Sequence, residues 1–250
     1  MGEHKIDDHR DPEQLRFFMQ RVLDDLRALE RMIQEDQIEA GVTRIGAEQE
    51  VFLVDHAHRP ASRATELLER IDDPHFTTEL ARFNLEFNLD PLDLVPDCLS
   101  RLHNDLDSLL SLARTKAREM GIDVLLTGIL PTLEKGDMTL DNMTPMPRYY
   151  ALNQVMKDLR GDDFYLHIKG RDELRMLHDS VMLEACNTSF QVHLQVSAAD
   201  FARVYNVSQA ASAPVLAAAV GSPLLFGRRL WQETRIALFQ QSVDTRNTHN

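Results

Sequence analysis

Hydrophobic and polar residues alternate along three segments of the chain, at positions 43–55, 83–90 and 188–196. Because successive side chains of a β-strand point to opposite faces, each segment predicts a strand with one apolar and one polar face. The polar faces carry side chains that can bind metal ions or phosphate groups: Glu48 and Glu50 in the first segment, Asn84, Glu86, Asn88 and Asp90 in the second, and Ser189, Gln191, His193 and Gln195 in the third. If the three strands share one sheet, these faces converge on a single pocket.

Helical spacing of apolar residues separates the predicted strands. It predicts helices over 11–37, 64–72, 97–120, 149–159, 172–183 and 198–219. The first of these is interpreted as an amphipathic packing helix without chemistry of its own. A short buried strand is predicted over 122–127. The irregular segment that follows, 128–148, contains several Met and Pro residues, and irregular segments of this length in compact domains are often functional.

Composition narrows the class of protein. Of 250 residues, 43% are hydrophobic and 27% are charged, as in ordinary soluble proteins that bury a sizeable core. The sequence has no run with the apolar length of a membrane span, and its start lacks the apolar core of a signal peptide. Two cysteines, Cys98 and Cys186, do not make a disulfide framework, which favours a reducing cytoplasm. The net charge of -13 argues against non-specific binding of nucleic acid.

The carboxylates of Glu48 and Glu50 allow two interpretations. Burial of unpaired carboxylates is costly, so a buried pair needs cations as partners, and carboxylates at i and i+2 suit a hard cation such as Mg²⁺. Alternatively, the strand face is exposed and both glutamates are solvated. The first strand alone leaves both interpretations open, whereas three strands of the same design favour a shared binding site.

Taken together, the strands resemble the glutamate–cysteine ligase family, one of the glutamine synthetase-like carboxylate–amine ligases. The similarity runs in order from about Thr43 to Arg246. The matching motifs are Gly46-Ala47-Glu48-Gln49-Glu50, then Glu79 with Glu86 seven positions on, Met146 to Tyr149, Gln191-Val192-His193, Gly221-Ser222-Pro223, Gly227 and Arg235.

The resemblance implies an α+β fold with a curved, mainly antiparallel sheet that forms a funnel and is flanked by helices. It implies an ATP-dependent ligase of glutathione biosynthesis that activates the γ-carboxylate of glutamate as an acyl phosphate and joins it to an amine, by default cysteine. The implied cofactors are ATP and Mg²⁺, with Mn²⁺ as a substitute. The resemblance also implies small-molecule partners only, no nucleic acid and no membrane, with a possible homo-oligomer.

Residue roles follow from the same resemblance. The expected metal ligands are Glu48, Glu50, Glu79 and Glu86, with Gln191 or His193 completing the set. Gln191, His193 and Arg235 are expected to contact the nucleotide side of the site. Arg235 is also expected to bind a phosphate or the substrate carboxylate, a role suited to its fixed fork of donors, and Arg148 is a second candidate for that work.

The sequence departs from the family pattern in two respects. Gln191 stands where many relatives have His, and family members continue beyond the position where this chain stops. We therefore expect a helical segment at 1–40 and a ligase-like catalytic domain at 41–250 that is truncated at its C-terminal end. Two alternatives remain open: a non-catalytic module that keeps the fold and binds Mg-nucleotide or an amino acid, and a structural α+β domain whose polar strand faces are solvated.

Overall fold

The computed structural model describes residues 12–161 and 163–244. In these ranges the elements are, in chain order, α1 (Pro12–Gln34), β1 (Arg44–Val54), α2 (Ala64–Ile71), β2 (Phe76–Thr78), β3 (Asn84–Asp93), α3 (Cys98–Glu119), β4 (Asp123–Leu125), α4 (Pro147–Arg160), β5 (Phe164–Lys169), β6 (Glu173–His178), β7 (Phe190–Leu194), α5 (Phe201–Ala218), β8 (Leu224–Leu225), β9 (Arg228–Arg229) and α6 (Arg235–Ser242).

The main sheet is built around β1. Strand β3 pairs with one side of β1, and β2 pairs with the outer side of β3. On its other side β1 pairs first with β7, at residues 45–49, and then with β4, at residues 52–54. All of these pairs are antiparallel, so the predicted α+β class with a mainly antiparallel sheet is confirmed, and the three alternating segments do share one sheet.

One face of this sheet packs against α2 and α3. The inward side chains of β1 and β3 meet the apolar stripes of the two helices in one core, formed by Ile45, Ala47, Val51, Leu53, Leu85, Phe87, Leu89, Leu67, Ile71, Leu102, Leu110, Ala113 and Ala117. The predicted alternation is therefore correct for these strand positions. Phe83 is the exception, because it precedes β3 and its ring stacks on Phe52, which faces the other side of the sheet.

The opposite face is covered at one end by a second core. Phe52 and Val54 of β1 contact the segment between β4 and α4, in which Ile129, Leu130 and Leu133 are each 1% exposed. The irregular segment at 128–148 therefore contributes these apolar side chains to the core, and its functional role stays a prediction. The same face becomes polar further along β1, where Glu50 and Glu48 replace apolar residues.

The predicted helix over 172–183 is wrong. Residues 164–178 form a β-hairpin, β5 and β6, and a 3₁₀ turn follows from Val181 to Cys186. Leu174, Leu177 and Val181 imitate helical spacing, but Phe164, Leu166 and Ile168 alternate strictly with exposed residues and are each 1% exposed. Pairing with this buried strand therefore decides the conformation of the segment.

In the described part of the chain, α1, α5 and β7 have no buried residue and leave their apolar side chains exposed. The expected apolar face of β7 is uncovered, since Phe190, Val192 and Leu194 are 44%, 52% and 43% exposed. The prediction that α1 is an amphipathic packing helix stays a prediction, because none of the described residues buries its apolar face. None of the helices in the described ranges is long and apolar enough to span a membrane.

Candidate metal centre

The polar face of the sheet brings three carboxyl groups together. Glu50 of β1 stands directly opposite Glu86 of β3, because the two strands pair antiparallel in this register. Glu79 follows the short strand β2, whose Thr77 is the neighbour of Glu86 on the other side. One carboxylate oxygen from each of Glu50, Glu79 and Glu86 lies within 4.8 Å of the others. The sheet register therefore creates a compact site with three oxygen donors.

Backbone and amide donors orient two of these carboxylates. The Ser189 N–H donates to Oε2 of Glu50 at 2.7 Å, and the amide of Asn88 donates to Oε1 of Glu86 at 2.7 Å. Ser189 immediately precedes β7, so pairing of that strand with β1 places its N–H over Glu50. Such hydrogen bonds fix the direction of ligand oxygens, as outer-shell partners do in metal sites.

Crowding of buried carboxyl groups makes ionisation unfavourable. Burial, a hydrogen bond to Glu86 and the charges of Glu50, Glu86 and Glu184 raise the pKa of Glu79 to about 9. Burial also raises the pKa of Glu50, against the hydrogen bonds from Ser189, and the charges of Glu86 and Glu48 add to the rise. A divalent cation between these oxygens would instead favour the ionised carboxylates, because its positive charge offsets their mutual repulsion.

A second pair lies along the same face. Glu48 stands between Asn88 of β3 and Gln191 of β7, and His193 stands opposite Gly46. The His193 Nε2 atom lies 3.5 Å from Oε1 of Glu48, and the His193 side chain is 48% exposed. The predicted shared face is therefore correct, with Glu50, Glu79 and Glu86 forming one group and Glu48 and His193 an adjacent one. The ligand roles of all six residues, Gln191 included, stay predictions.

Arg148 lies in helix α4, and hydrogen bonds link it through Tyr149 to the residue before Glu79. It is the second residue of α4, its guanidinium lies 4.6 Å from the Tyr149 ring centre, and it donates to the Tyr149 hydroxyl at 2.8 Å. That hydroxyl donates in turn to the carbonyl of Thr78, the residue before Glu79. Burial and the charge of Glu79 raise the pKa of Tyr149.

Arg235 is held by a partly buried ion pair at the start of α6. Its Nε atom pairs with Glu233, and its Nη1 atom donates to the carbonyl of Thr188 at 2.7 Å. Glu233 also accepts from the Ser222 hydroxyl at 2.7 Å. Burial alone would raise the pKa of Glu233, but the hydrogen bonds from Arg235 and Ser222 outweigh it and the pKa is lowered. The expected phosphate or carboxylate contact of Arg235 stays a prediction.

Glu184 is an acidic residue near the site that the sequence reasoning missed. It lies in the 3₁₀ turn before β7, and burial together with the charge of Glu50 raises its pKa to about 7. A signal was present in the sequence, because Glu184 is the single charged residue of the apolar run Val181 to Cys186. A lone carboxylate in such a run is rarely left without a polar partner.

Most of the chain matches a family of known proteins. The sequence model described as Glutamate-cysteine ligase family 2 matches residues 44–249, from the first residue of β1 to a point beyond α6. No curated protein matches the chain. The matched region contains every residue of the carboxylate group and both arginines, whereas α1 lies outside it.

Proposed function

Because the chain belongs to glutamate–cysteine ligase family 2, a family of carboxylate–amine ligases, we propose that it uses ATP to join the γ-carboxylate of glutamate to an amine, with cysteine as the default acceptor. The observation that carries this proposal is the convergence of Glu50, Glu79 and Glu86, with one oxygen of each within 4.8 Å of the others. We assign the catalytic domain to residues 41–250 and the location to the cytoplasm.

The donor set fits the metal ions that this chemistry uses. Mg²⁺ and Mn²⁺ prefer carboxylate oxygens. Of the three carboxyl groups, Glu86 is buried and Glu50 and Glu79 are partly buried, and the pKa of about 9 at Glu79 reflects the lack of a positive charge that would stabilise the ionised form. We assign Glu50, Glu79 and Glu86 as one set of ligands and Glu48 with His193 or Gln191 as an adjacent set. When bound, the metal would neutralise phosphate charge and position the phosphates of ATP.

The proposed reaction has two transfers. An oxygen of the glutamate γ-carboxylate attacks the γ-phosphorus of ATP, and the bond from that phosphorus to the β-phosphate oxygen breaks. The products of this step are an acyl phosphate of glutamate and ADP. The amine nitrogen then attacks the acyl carbon, the bond from that carbon to the phosphate oxygen breaks, and the amine loses a proton as the amide forms. Both steps depend chiefly on the positioning of the reactants and on neutralisation of phosphate charge. A group of oriented carboxylates on a rigid sheet would support both by holding the metal ions.

The chain's own side chains have distinct parts in this scheme. Ser189 and Asn88 orient the carboxylates of Glu50 and Glu86. We expect Arg148, which donates to the Tyr149 hydroxyl near Glu79, to attract an anionic group of a substrate. Arg235 donates to Glu233 through Nε and to Thr188 through Nη1, and we expect the remaining N–H groups of its guanidinium to contact a phosphate while the ion pair with Glu233 holds it in place.

The proposal is tested by release of phosphate from ATP in the presence of Mg²⁺, glutamate and a panel of amines that includes cysteine. We expect amine-dependent turnover, and we expect Glu86→Gln to reduce kcat/KM by at least about a hundredfold because an oriented ligand oxygen is lost. The matched control is Glu69→Gln, which removes an exposed carboxylate on α2 and should leave turnover unchanged.

Two outcomes would contradict the proposal. If ATP binds with Mg²⁺ but no combination of glutamate and amine releases phosphate, the chain is a binding module of the ligase fold. If turnover occurs and Glu86→Gln matches Glu69→Gln, the carboxylate group does not serve the reaction.

A further inference from the structure

The first helix, α1, carries an apolar surface that the described part of the chain does not cover. It has 23 residues and buries none of them. Five of its large apolar side chains, Leu15, Met19, Leu26, Leu29 and Ile33, are between 47% and 63% exposed. An isolated helix of this length is marginally stable in water unless its apolar face packs against another surface. The helix therefore requires a partner.

The spacing of the exposed residues is that of a coiled-coil seam. Leu15, Met19, Val22, Leu26, Leu29 and Ile33 follow one another at intervals of four and three residues, which is the heptad pattern over almost three repeats. Phe18, Leu23 and Met32 lie directly beside this seam and are also exposed, so the apolar surface of α1 is wider than the seam alone. A second helix of the same pattern can cover both, because the seam residues interlock and the flanking apolar residues meet one another. The pattern thus indicates a helical partner.

The seam is complementary to itself when a second copy runs in the opposite direction. In that arrangement Leu15 meets Ile33 of the second copy, Met19 meets Leu29, and Val22 meets Leu26. Every one of the six positions then has an apolar partner, and no seam residue is left over. An isologous pairing of this kind closes on itself and gives a dimer with twofold symmetry.

Flanking residues favour the antiparallel direction. Arg16 then lies beside Glu30 of the second copy, twice by symmetry, and Phe18 lies beside Met32. The one unfavourable pair is Asp25 with its own copy on the twofold axis. In a parallel pair, Asp25 would instead lie beside Glu30 of the second copy on both sides, which places two like-charge pairs at the interface.

The net charge of the helix also permits self-association. The chain carries -13, but α1 holds four arginines and four acidic residues and is neutral: Arg16, Arg21, Arg27, Arg31, Glu13, Asp24, Asp25 and Glu30. Two copies can therefore approach through this helix without the repulsion that the rest of the surface imposes.

We propose that α1 is a self-association helix and that two copies of the chain pair through it in antiparallel orientation. The inference is independent of the proposed enzymatic reaction, because α1 lies outside the region that matches the family.

Sedimentation or light scattering of the full chain, at about 1 to 100 μM, tests the proposal by the molar mass in solution. We expect a dimer whose mass falls to that of the monomer in Leu26→Glu, because a charge then replaces a seam residue. Far-ultraviolet circular dichroism should show that the rest of the chain stays folded, since Leu26 is 57% exposed and no residue of α1 is buried by the described part of the chain.

Charge variants then test the orientation. Glu30→Arg places a second guanidinium beside Arg16 in the antiparallel pair and should weaken the dimer about tenfold, whereas in a parallel pair the new positive charge would meet Asp25 and strengthen it. The double variant Arg16→Glu with Glu30→Arg should restore the affinity. Asp24→Arg, the same charge change on the outer side of the helix, is the matched control and should have little effect.

Three results would overturn the proposal. The chain could remain a monomer at the highest concentration, its mass could be unchanged by Leu26→Glu, or Glu30→Arg could tighten the dimer. A monomer would show that α1 does not pair with a second copy of the chain. A mass unchanged by Leu26→Glu would show that the dimer interface lies elsewhere. A dimer tightened by Glu30→Arg would show that the two helices run parallel.

Discussion

Glu79 gives the clearest chemical indication of a cation among the described residues. Its carboxyl group, next to Glu86 and near Glu50 and Glu184, has a pKa raised to about 9, first by burial and then by its acidic neighbours. In metal-free protein at neutral pH the group is therefore protonated. A carboxyl group that must lose its proton before it can bind a metal couples metal affinity to pH.

We predict that Mg²⁺ or Mn²⁺ binding at pH 7.5 releases about one proton per ion, because Glu79 ionises as it coordinates. Calorimetric titration in two buffers with different enthalpies of ionisation measures this number. Glu79→Gln should bind the metal more weakly and release fewer protons, while Glu69→Gln should behave as the unmodified chain. Identical heats in the two buffers for the unmodified chain would show that Glu79 is already ionised.

The residues of this centre differ in how far the sequence reveals them. Glu48, Glu50, Glu86, Gln191 and His193 lie on strands, so that the period of two predicts their common face directly. Glu184 lies in a 3₁₀ turn, whose position depends on the packing of the second core, and no periodicity locates it. The sequence pattern also did not predict the ion pair of Arg235 with Glu233, because it depends on the conformation of the turn before α6.

At the scale of elements, strands were predicted well where one face is buried and poorly where helical spacing competed. The bounds of β1, α2 and α3 agree with the sequence pattern to within one or two residues. The hairpin of β5 and β6 was missed because Leu174, Leu177 and Val181 fit a helix locally. Pairing of β6 with the alternating strand β5 outweighs this helical spacing, which a pattern taken from residues 172–183 alone does not include.

The close approach of α6 to the segment after β4 gives a prediction about Gly128. A Cβ atom at this position would lie 2.7 Å from Nε of Arg235 and 3.0 Å from the carbonyl oxygen of Gly221. Gly128→Ala should therefore displace Arg235 and lower the free energy of unfolding by about 1 to 3 kcal/mol, together with a loss of turnover. Chemical denaturation and the phosphate-release assay measure the two effects.

Gly136→Ala is the matched control for this substitution, because a Cβ atom at Gly136 meets no atom within 4 Å. Its free energy of unfolding should stay within about 0.5 kcal/mol of the unmodified chain. If Gly128→Ala proves as mild as Gly136→Ala, Arg235 is not held against Gly128 as described.

At the scale of the whole molecule, the buried acids make stability depend on pH. The folded state binds more protons than the unfolded state between the usual pKa of 4.5 and the raised value of about 9 at Glu79. Stability that is fully present at low pH is therefore lost as pH rises through this window, and Glu184 adds to the loss up to about pH 7.

We predict that, in the presence of a chelator, the free energy of unfolding declines from pH 6 to pH 9. Glu79→Gln should reduce the slope by up to about 1 kcal/mol per pH unit, because its side chain cannot ionise. Urea denaturation at each pH provides the measurement, and added Mg²⁺ should reverse the decline at pH 8. Parallel profiles for the two proteins would contradict the assignment of the raised pKa to Glu79.

The most direct test of the account is the affinity of the carboxylate group for a divalent cation. Calorimetric titration of Mg²⁺ or Mn²⁺ into the chain, into Glu86→Gln and into Glu69→Gln compares the proposed ligand Glu86, which stands opposite Glu50 in the sheet, with an exposed carboxylate. We predict binding that Glu86→Gln weakens by at least about tenfold and Glu69→Gln leaves unchanged. Equal affinities for all three proteins, or no binding at all, would contradict it.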